Sequence, residues 1–236
     1  MLAPTTDTYE NLLFIYNYFN KNLFDEKLPH CLITLQRQPN SSGYLCTNRF
    51  INNKGETVAE LAVNPECIPL VPLISTLSVI VHEQVHLWQH HFGKPSRNGY
   101  HNKEWAAKMQ EIGLMPSHDG NVGGKRTGQN MSDYPIIGGK FMSLSEKLVE
   151  LRPHLIKWYD MTAMQSETIA NNDMITKQDT PNLQTIPYQS KDSTKSTNKK
   201  NTRSKFVCQK CGDALWGKSS LKVLCINCNT QYEIIG

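Results

Sequence analysis

The sequence lacks a long apolar run, and its first residues lack the pattern of a secretory signal. The most apolar stretch, residues 68–81, is interrupted by two prolines and two serines: Pro69, Pro72, Ser75 and Ser78. A membrane helix needs about 20 consecutive apolar residues, and a signal peptide needs a basic segment followed by an apolar one. We therefore expect neither a membrane span nor export.

A strong excess of charge of one sign is also absent. The 236 residues include 25 Lys and Arg against 21 Asp and Glu, which gives a formal net charge of +4. With 39% hydrophobic and 19% charged residues, the composition is typical of a globular protein with one substantial domain and a smaller one. This mild positive charge permits contact with a polyanion but does not require it.

Cysteine is present, but not in the even, closely spaced set of a secreted disulfide framework. Three of the seven cysteines stand singly in apolar segments. The other four form two C-x-x-C pairs separated by thirteen residues: Cys208, Cys211, Cys225 and Cys228. This pattern favours a reducing cytoplasm. It also predicts a zinc ribbon over residues 206–236, in which four thiolates surround one structural Zn²⁺.

Hydrophobic periodicity predicts an α+β domain over residues 1–160. The predicted helices cover residues 7–23, 72–92, 103–112 and 143–151, and the predicted strands of a small, mostly antiparallel sheet cover residues 31–37, 43–48 and 57–64. Asp7 and Ser143 each open a capping box. Residues 116–141 are glycine-rich without periodicity, which is typical of a functional loop or of an extended surface connection.

Residues 161–205 are dominated by polar side chains. They predict a flexible linker, because they contain too few apolar groups to offset the entropy of ordering. The last part of this segment has six basic residues against Asp192 alone: Lys191, Lys195, Lys199, Lys200, Arg203 and Lys205. Such a run is either a solvated linker or a sequence-independent contact for a phosphate backbone.

One motif in the predicted helix 72–92 indicates chemistry. His82-Glu83-x-x-His86 is an H-E-x-x-H sequence, and on a helix its two histidines lie one turn apart on one face, as a single Zn²⁺ requires. Apolar neighbours predict that this helix is buried, and buried imidazoles need a partner that offsets their desolvation. The alternative is a pair of ordinary core or surface histidines.

Three residues are candidates for a third ligand: His90, His101 and Glu104. His90 lies roughly 6 Å further along the helix axis than His86, which is too far for an ion held between the first two histidines. His101 follows a turn with glycine and proline, so it can approach from another direction. Glu104 is either a neighbouring carboxylate or the ligand in place of His101.

The sequence H-E-Q-V-H, with His101 fifteen positions after His86 in G-Y-H-N-K-E-W, resembles the SprT-like domain of the Spartan and SprT metalloprotease family. Similar too are the Y-F-N, L-F and L-P sequences near the N-terminus, the A-V-N-P sequence before the metal helix, and the ribbon. The resemblance implies a zincin-like α+β fold that cleaves proteins, in the best-known members proteins trapped covalently on DNA. It implies His82, His86 and His101 as zinc ligands and Glu83 as the catalytic acid/base.

Three neutral imidazoles leave the +2 charge of zinc intact and one coordination position open. Glu83 can take a proton from water and pass it to the leaving amine. We therefore predict a cytoplasmic, monomeric zinc endopeptidase with two Zn²⁺, one catalytic and one structural, that acts on protein substrates. We expect it to reach DNA through the basic linker and the ribbon. Tyr100 and Tyr134 are the candidates for the group that stabilises the oxyanion.

Two other functions fit the sequence. One is a nucleic-acid-associated zinc-binding regulatory protein in which proteolysis is not the main role, although a purely structural site would gain nothing from Glu83. The other makes the ribbon a protein-docking module without a role in DNA binding.

Overall fold

The computed structural model describes residues 3–97, 99–170, 204–218 and 220–235. The chain divides into two units, Met1–Ser190 and Lys191–Gly236. The described helices and strands of the first unit form an α+β domain, as predicted. Within the residues that the structure describes, no helix combines the length and the apolar character that crossing a membrane requires.

Two long helices form the centre of the first unit. Helix α1 spans Pro4–Leu23 and helix α2 spans Leu73–Phe92. The side chain of Gln84 on α2 donates a hydrogen bond of 2.8 Å to the backbone carbonyl of Tyr16 on α1. Helix α2 begins one residue after its predicted start, with Pro72 as its N-cap, and ends at the predicted residue. Helix α1 begins before its predicted capping box, because a proline in the first turn has a suitable fixed φ and lacks an N–H that would go unpaired there.

Three strands form a sheet beside α2: β1 (Leu32–Leu35), β2 (Gly43–Ile51) and β3 (Thr57–Val63). The order is β1-β3-β2, with β2 antiparallel and β1 parallel to β3. The predicted strand positions are confirmed, but one of the two pairings is parallel because the β2–β3 hairpin places β3 next to β1. Among the described strands, none pairs with the outer edge of β2.

Helix α3 spans Lys103–Ile112, and both of its ends follow from the sequence. The side chain of Asn102 accepts a hydrogen bond of 3.0 Å from the backbone N–H of Trp105. Gly113 ends the helix with a φ of 98°, a left-handed conformation that glycine adopts without steric cost.

The glycine-rich segment contains regular structure at its ends. Strands β4 (Leu114–Ser117) and β5 (Ser132–Pro135) pair antiparallel and form the β4–β5 hairpin, which has a long connection. The prediction that residues 116–141 are irregular throughout is therefore wrong. Strands of four residues that include proline and polar side chains give too short a pattern to be recognised by periodicity.

Helix α4, Lys140–Leu151, begins before Ser143, so the capping box predicted there is not used. Helix α5, Met161–Ala170, occupies the start of the segment predicted to be a linker. Residues 171–203 lie outside the described residues. The linker and its basic run, apart from Lys205, therefore stay predictions.

The described residues of the second unit contain five short strands: β6 (Ser204–Val207), β7 (Ala214–Gly217), β8 (Leu224–Cys225), β9 (Thr230–Gln231) and β10 (Glu233–Ile235). Strands β10, β6 and β7 form one antiparallel sheet, and β8 pairs with β9. The buried centre consists of Phe206, Cys208, Cys225 and Tyr232. This arrangement is the small sheet with clustered cysteines that the C-x-x-C pairs predict.

Candidate metal centre

Three histidine side chains meet beside α2. His82 and His86 lie one turn apart on α2, and His101 comes from the loop immediately before α3. Their ring nitrogens lie within 4.8 Å of one another. His82 is 9% exposed and His101 is 7% exposed, so the cluster is largely shielded from water.

The distances between the ring nitrogens suit one zinc ion. Nε2 of His101 lies 3.3 Å from Nε2 of His82 and 3.0 Å from Nε2 of His86. Tetrahedral ligands with Zn–N bonds of about 2.0–2.1 Å lie roughly 3.3 Å apart. The three side chains therefore fit the metal that the motif predicts.

The second ring nitrogens of two histidines face hydrogen-bond acceptors. Nδ1 of His82 lies 2.9 Å from an oxygen of Asp133, and Nδ1 of His101 lies 3.2 Å from the carbonyl oxygen of Gly128. A neutral ring that donates through Nδ1 has its lone pair on Nε2. The Nε2 lone pairs of His82 and His101 then face each other at 3.3 Å, an arrangement that a cation between them stabilises.

Burial keeps two of the rings uncharged. Burial, together with the neighbouring His82, lowers the pKa of His86 well below its ordinary value and the pKa of His101 to about 4. Burial also opposes the charged form of His82, but the hydrogen bond to Asp133 and the charge of Glu83 outweigh it and raise that pKa. Neutral imidazole is the form that binds a metal ion.

Hydrogen bonds fix the position of His101. Its backbone N–H donates to the carbonyl of Gly128 at 2.8 Å, and the N–H of Gly128 donates back at 3.1 Å. The side chain of the next residue, Asn102, accepts a hydrogen bond of 2.7 Å from Gln89. Because Gln89 lies about one turn beyond His86 on α2, these bonds hold the start of α3 against the helix face that carries the motif.

The two alternative ligands lie elsewhere. The carboxylate of Glu104 accepts hydrogen bonds of 2.7 Å from the backbone N–H of Lys94 and from the side chain of Gln89, and these bonds lower its pKa. His90 is exposed, and its ring lies against that of His91. The structure thus brings His101, rather than Glu104 or His90, to the H-E-x-x-H pair.

Glu83 follows His82 on α2 and is only 7% exposed. Burial raises the pKa of Glu83 to about 7, against the opposing effect of His82, and the backbone N–H of Leu45 on β2 hydrogen-bonds its carboxylate. Strand β2 lies close against α2 because residue 43 is glycine. A Cβ at this position would lie only 2.6 Å from Cγ1 of Val79 on α2. A carboxyl group with a pKa near neutrality can both accept and donate a proton.

The indole ring of Trp105 forms an apolar floor under the histidines. Its centroid lies 4.3 Å from that of His101, 4.8 Å from that of His82 and 5.4 Å from that of His86. Trp105 is fully buried. An apolar wall of this kind lowers the local dielectric, which strengthens the interaction between an ion and its ligands.

Sequence reasoning missed Asp133. This residue lies on β5, is 7% exposed, and has Ser78 and His82 as hydrogen-bond partners. It follows His82 by 51 residues, and a single aspartate in a polar segment gives no signal that connects it with α2. Strand alternation places Tyr134, a candidate for stabilising the oxyanion, on the opposite face of β5 from Asp133.

A second candidate centre lies in the ribbon. The four sulfur atoms of Cys208, Cys211, Cys225 and Cys228 lie within 4.8 Å of one another, with 3.7 Å between Cys211 and Cys225. Tetrahedral thiolates with Zn–S bonds of about 2.3 Å lie roughly 3.8 Å apart. All seven cysteines are free, and hydrogen bonds from the backbone N–H groups of Cys211 and Lys210 lower the pKa of Cys208 to about 7. This donor set fits a closed zinc site.

Comparison with known proteins agrees with this geometry. An uncharacterized protein of Salmonella typhimurium, described by its position in the mucB 3' region, is 46% identical over 59 residues, which are 25% of this chain and 80% of that protein. No solved structure matches the chain. Residues 13–127, which include Glu83 and the three histidines, match the SprT-like family model. The chain therefore belongs to the SprT-like family, with its SprT-like domain at residues 13–127.

Proposed function

We propose that the chain is a zinc-dependent endopeptidase of the SprT-like type, in which His82, His86 and His101 hold the catalytic ion and Glu83 is the acid/base. The observation that carries this proposal is the convergence of three Nε2 atoms, with separations of 3.0 and 3.3 Å, on a helix that also bears a buried carboxylate. Burial of Glu83 costs free energy. A purely structural metal site would gain nothing in return.

The side chains have separate tasks in this reaction. Zinc, when bound, supplies Lewis acidity to a carbonyl group and lowers the pKa of water. Glu83 takes the proton of the attacking water and delivers it to the nitrogen of the leaving amine. The backbone N–H of Leu45 orients the Glu83 carboxylate, and the ring of Trp105 shields the histidines from solvent on one side.

The open edge of β2 suits an extended peptide. The N–H of Asn64 donates to the carbonyl of Ser42 at 2.9 Å. The N–H of Gly43 and the carbonyl of Leu45, which alternate with this pair, are therefore directed away from β3, whereas the carbonyl of Gly43 already accepts a hydrogen bond of 2.6 Å from the hydroxyl of Ser41. An extended segment can add to such an edge through backbone hydrogen bonds that make little demand on its sequence. This geometry supports protein substrates.

Substitution of Glu83 by glutamine tests the proposal. Glu83→Gln removes the base and leaves the three histidines unchanged, so we expect hydrolysis of casein to fall by about a hundredfold or more while zinc content stays unchanged. Glu111→Gln, at an exposed position of α3, is the matched control and should keep full activity. Cleavage by Glu83→Gln at the wild-type rate would contradict the assignment of Glu83.

We also propose DNA as a partner, bound without sequence preference, so that the substrates are proteins bound or crosslinked to DNA. Lys205 on β6 and Trp216 on β7 are cross-strand neighbours in the ribbon, and Trp216 is 62% exposed. Residues 204–235 include four lysines against Asp213 and Glu233. A cation for a phosphate next to an exposed ring for base stacking suits single-stranded nucleic acid.

The same surface favours a second candidate function, a nucleic-acid-associated zinc-binding protein in which proteolysis is not the main role. The two candidates differ in one measurement. Wild-type protein that holds two zinc ions and binds DNA, but cleaves neither free nor DNA-crosslinked protein, would favour the regulatory role over the endopeptidase.

A further inference from the structure

Asp133 bridges two successive turns of α2. One carboxylate oxygen accepts a hydrogen bond from the hydroxyl of Ser78, and the other lies 2.9 Å from Nδ1 of His82. Ser78 stands four residues before His82, so both side chains lie on one face of the helix. Exposure is 7% for Asp133, 7% for Ser78 and 9% for His82, so the whole contact is buried.

A buried carboxylate is costly, and an apolar side chain would fill the same space at lower cost. The contact has a specific effect on the ring of His82, however. It keeps a hydrogen on Nδ1, so that the Nε2 lone pair faces the other two histidines. Acceptors in this position set the tautomer and orientation of metal-binding histidines, and they raise the basicity of the ring.

We infer that Asp133 is a positioning residue of the metal centre, which fixes the tautomer and the ring orientation of His82 and is itself held by Ser78. This inference rests on the histidine site of the proposed function but not on proteolysis. Asp133 lies outside residues 13–127, the range that matches the SprT-like family model.

The β4–β5 hairpin carries the corresponding contact for a second ligand. Gly128, in the connection between its strands, accepts a hydrogen bond of 3.2 Å from Nδ1 of His101. Two of the three histidines are thus oriented by this one hairpin. The inferred function of this glycine-rich hairpin is therefore to orient the rings of His82, which lies on α2, and of His101, which lies in the loop before α3.

Cobalt binding to the full-length chain tests the inference. Thiolate-bound Co²⁺ absorbs strongly in the near ultraviolet, whereas imidazole-bound Co²⁺ does not, so the two sites can be titrated separately in one protein. Asp133→Ala should weaken Co²⁺ binding at the histidine site by about 10- to 100-fold and leave the thiolate site unchanged. Asp133→Asn keeps an oxygen acceptor for Nδ1 and should restore most of the affinity.

Asp119→Ala is the matched control in the same hairpin. The carboxylate of Asp119 accepts hydrogen bonds from Ser117 and from the backbone N–H of Asn121, so this variant should bind Co²⁺ as the wild type does. Wild-type affinity in Asp133→Ala, or an equal loss in Asp119→Ala, would overturn the role of Asp133. Wild-type protein that binds no Co²⁺ at the histidines would instead overturn the proposed function.

A measurement on the wild-type protein keeps the inference testable if Asp133→Ala does not fold. In ¹H–¹⁵N spectra of the zinc-loaded chain, the Nδ1 proton of His82 should resonate far downfield and exchange slowly with water, because it is bonded to a buried carboxylate. A His82 ring that lacks a protected Nδ1 proton would overturn the inference.

Discussion

His101 and Glu104 stand three positions apart, and their places relative to the N-cap of α3 separate their roles. His101 precedes Asn102 and lies outside the helix, so its ring can turn towards α2. Glu104 lies in the first helical turn, and its carboxylate binds groups ten and fifteen positions earlier in the chain, Lys94 and Gln89. No local sequence pattern contains those contacts, which is why the sequence alone leaves both residues as candidates.

The ligand assignment gives a prediction at the scale of single residues. His101→Ala should lose the zinc of the histidine site together with peptide hydrolysis, because two imidazoles hold zinc much less tightly than three. Glu104→Ala should keep that zinc. Elemental analysis measures the zinc content of the purified variants, and a casein assay measures hydrolysis. His90→Ala is the control, because His90 is an exposed histidine of α2.

The opposite result would change the assignment. If His101→Ala kept its zinc and its activity while Glu104→Ala lost both, the third ligand would be Glu104.

At the scale of elements, the parts that could be predicted are those whose signals are local. Helix α2 follows from its apolar run and α3 from Asn102 and Gly113, so the elements that carry His82 and His86, and the loop that carries His101, could be placed from the sequence. Strands β4 and β5 are too short for a periodic pattern. The contact of Asp133 with His82 depends on tertiary folding, so it could not be predicted.

The approach of β2 to α2 gives a second prediction. A Cβ on residue 43 would lie 2.6 Å from Cγ1 of Val79 and 2.8 Å from the backbone oxygen of Ala62, and a backbone atom cannot rotate away. Gly43→Ala should therefore lower the free energy of unfolding by about 1–3 kcal/mol. It should also displace the N–H of Leu45 from Glu83, so that activity falls further than zinc content.

Urea unfolding followed by tryptophan fluorescence, together with a casein assay, measures both effects. Cys46→Ala is the control, because the side chain of Cys46 faces the other side of β2, and it should retain activity. A Gly43→Ala protein with the stability and activity of the wild type would show that the close approach of β2 to α2 contributes to neither property.

For the whole molecule, the two centres differ in what they contribute to folding. The first unit has a large apolar core of its own, whereas the core of the ribbon contains two of its four candidate ligands, Cys208 and Cys225. We predict about two zinc ions per chain. A strong chelator should unfold the ribbon but leave the helical circular dichroism of the first unit.

Elemental analysis of protein purified without added metal measures the ratio of zinc to protein. A ratio near one that His82→Ala does not change would remove the histidine site from the proposed function.

The last prediction concerns nucleic acid and also belongs to the whole molecule. Binding of the full chain to single-stranded DNA should weaken steeply with salt, with a log-log slope of about 0.7 for each neutralised phosphate. A chain that ends at residue 190 lacks the basic run and the ribbon, so it should lose this affinity. Trp216→Ala should cost about 1–3 kcal/mol of binding free energy without changing the slope, because stacking releases no counterions.

Fluorescence anisotropy across a salt series measures affinity and slope. Ile226→Ala is the matched control, because Ile226 is another exposed apolar residue of the ribbon, with 91% exposure. Equal affinity and equal slopes for the full chain and the shortened chain would favour the ribbon as a protein-docking module.

The distance in sequence between His82 and its acceptor has a consequence for protein synthesis. The ribosome makes the H-E-x-x-H motif and His101 well before Asp133, which follows His82 by 51 residues. A nascent chain that ends before β5 therefore has the three histidines of the candidate site but lacks the carboxylate that contacts Nδ1 of His82. On the proposed function, full peptidase activity would therefore arise only late in synthesis, after the ribosome has added the β4–β5 hairpin.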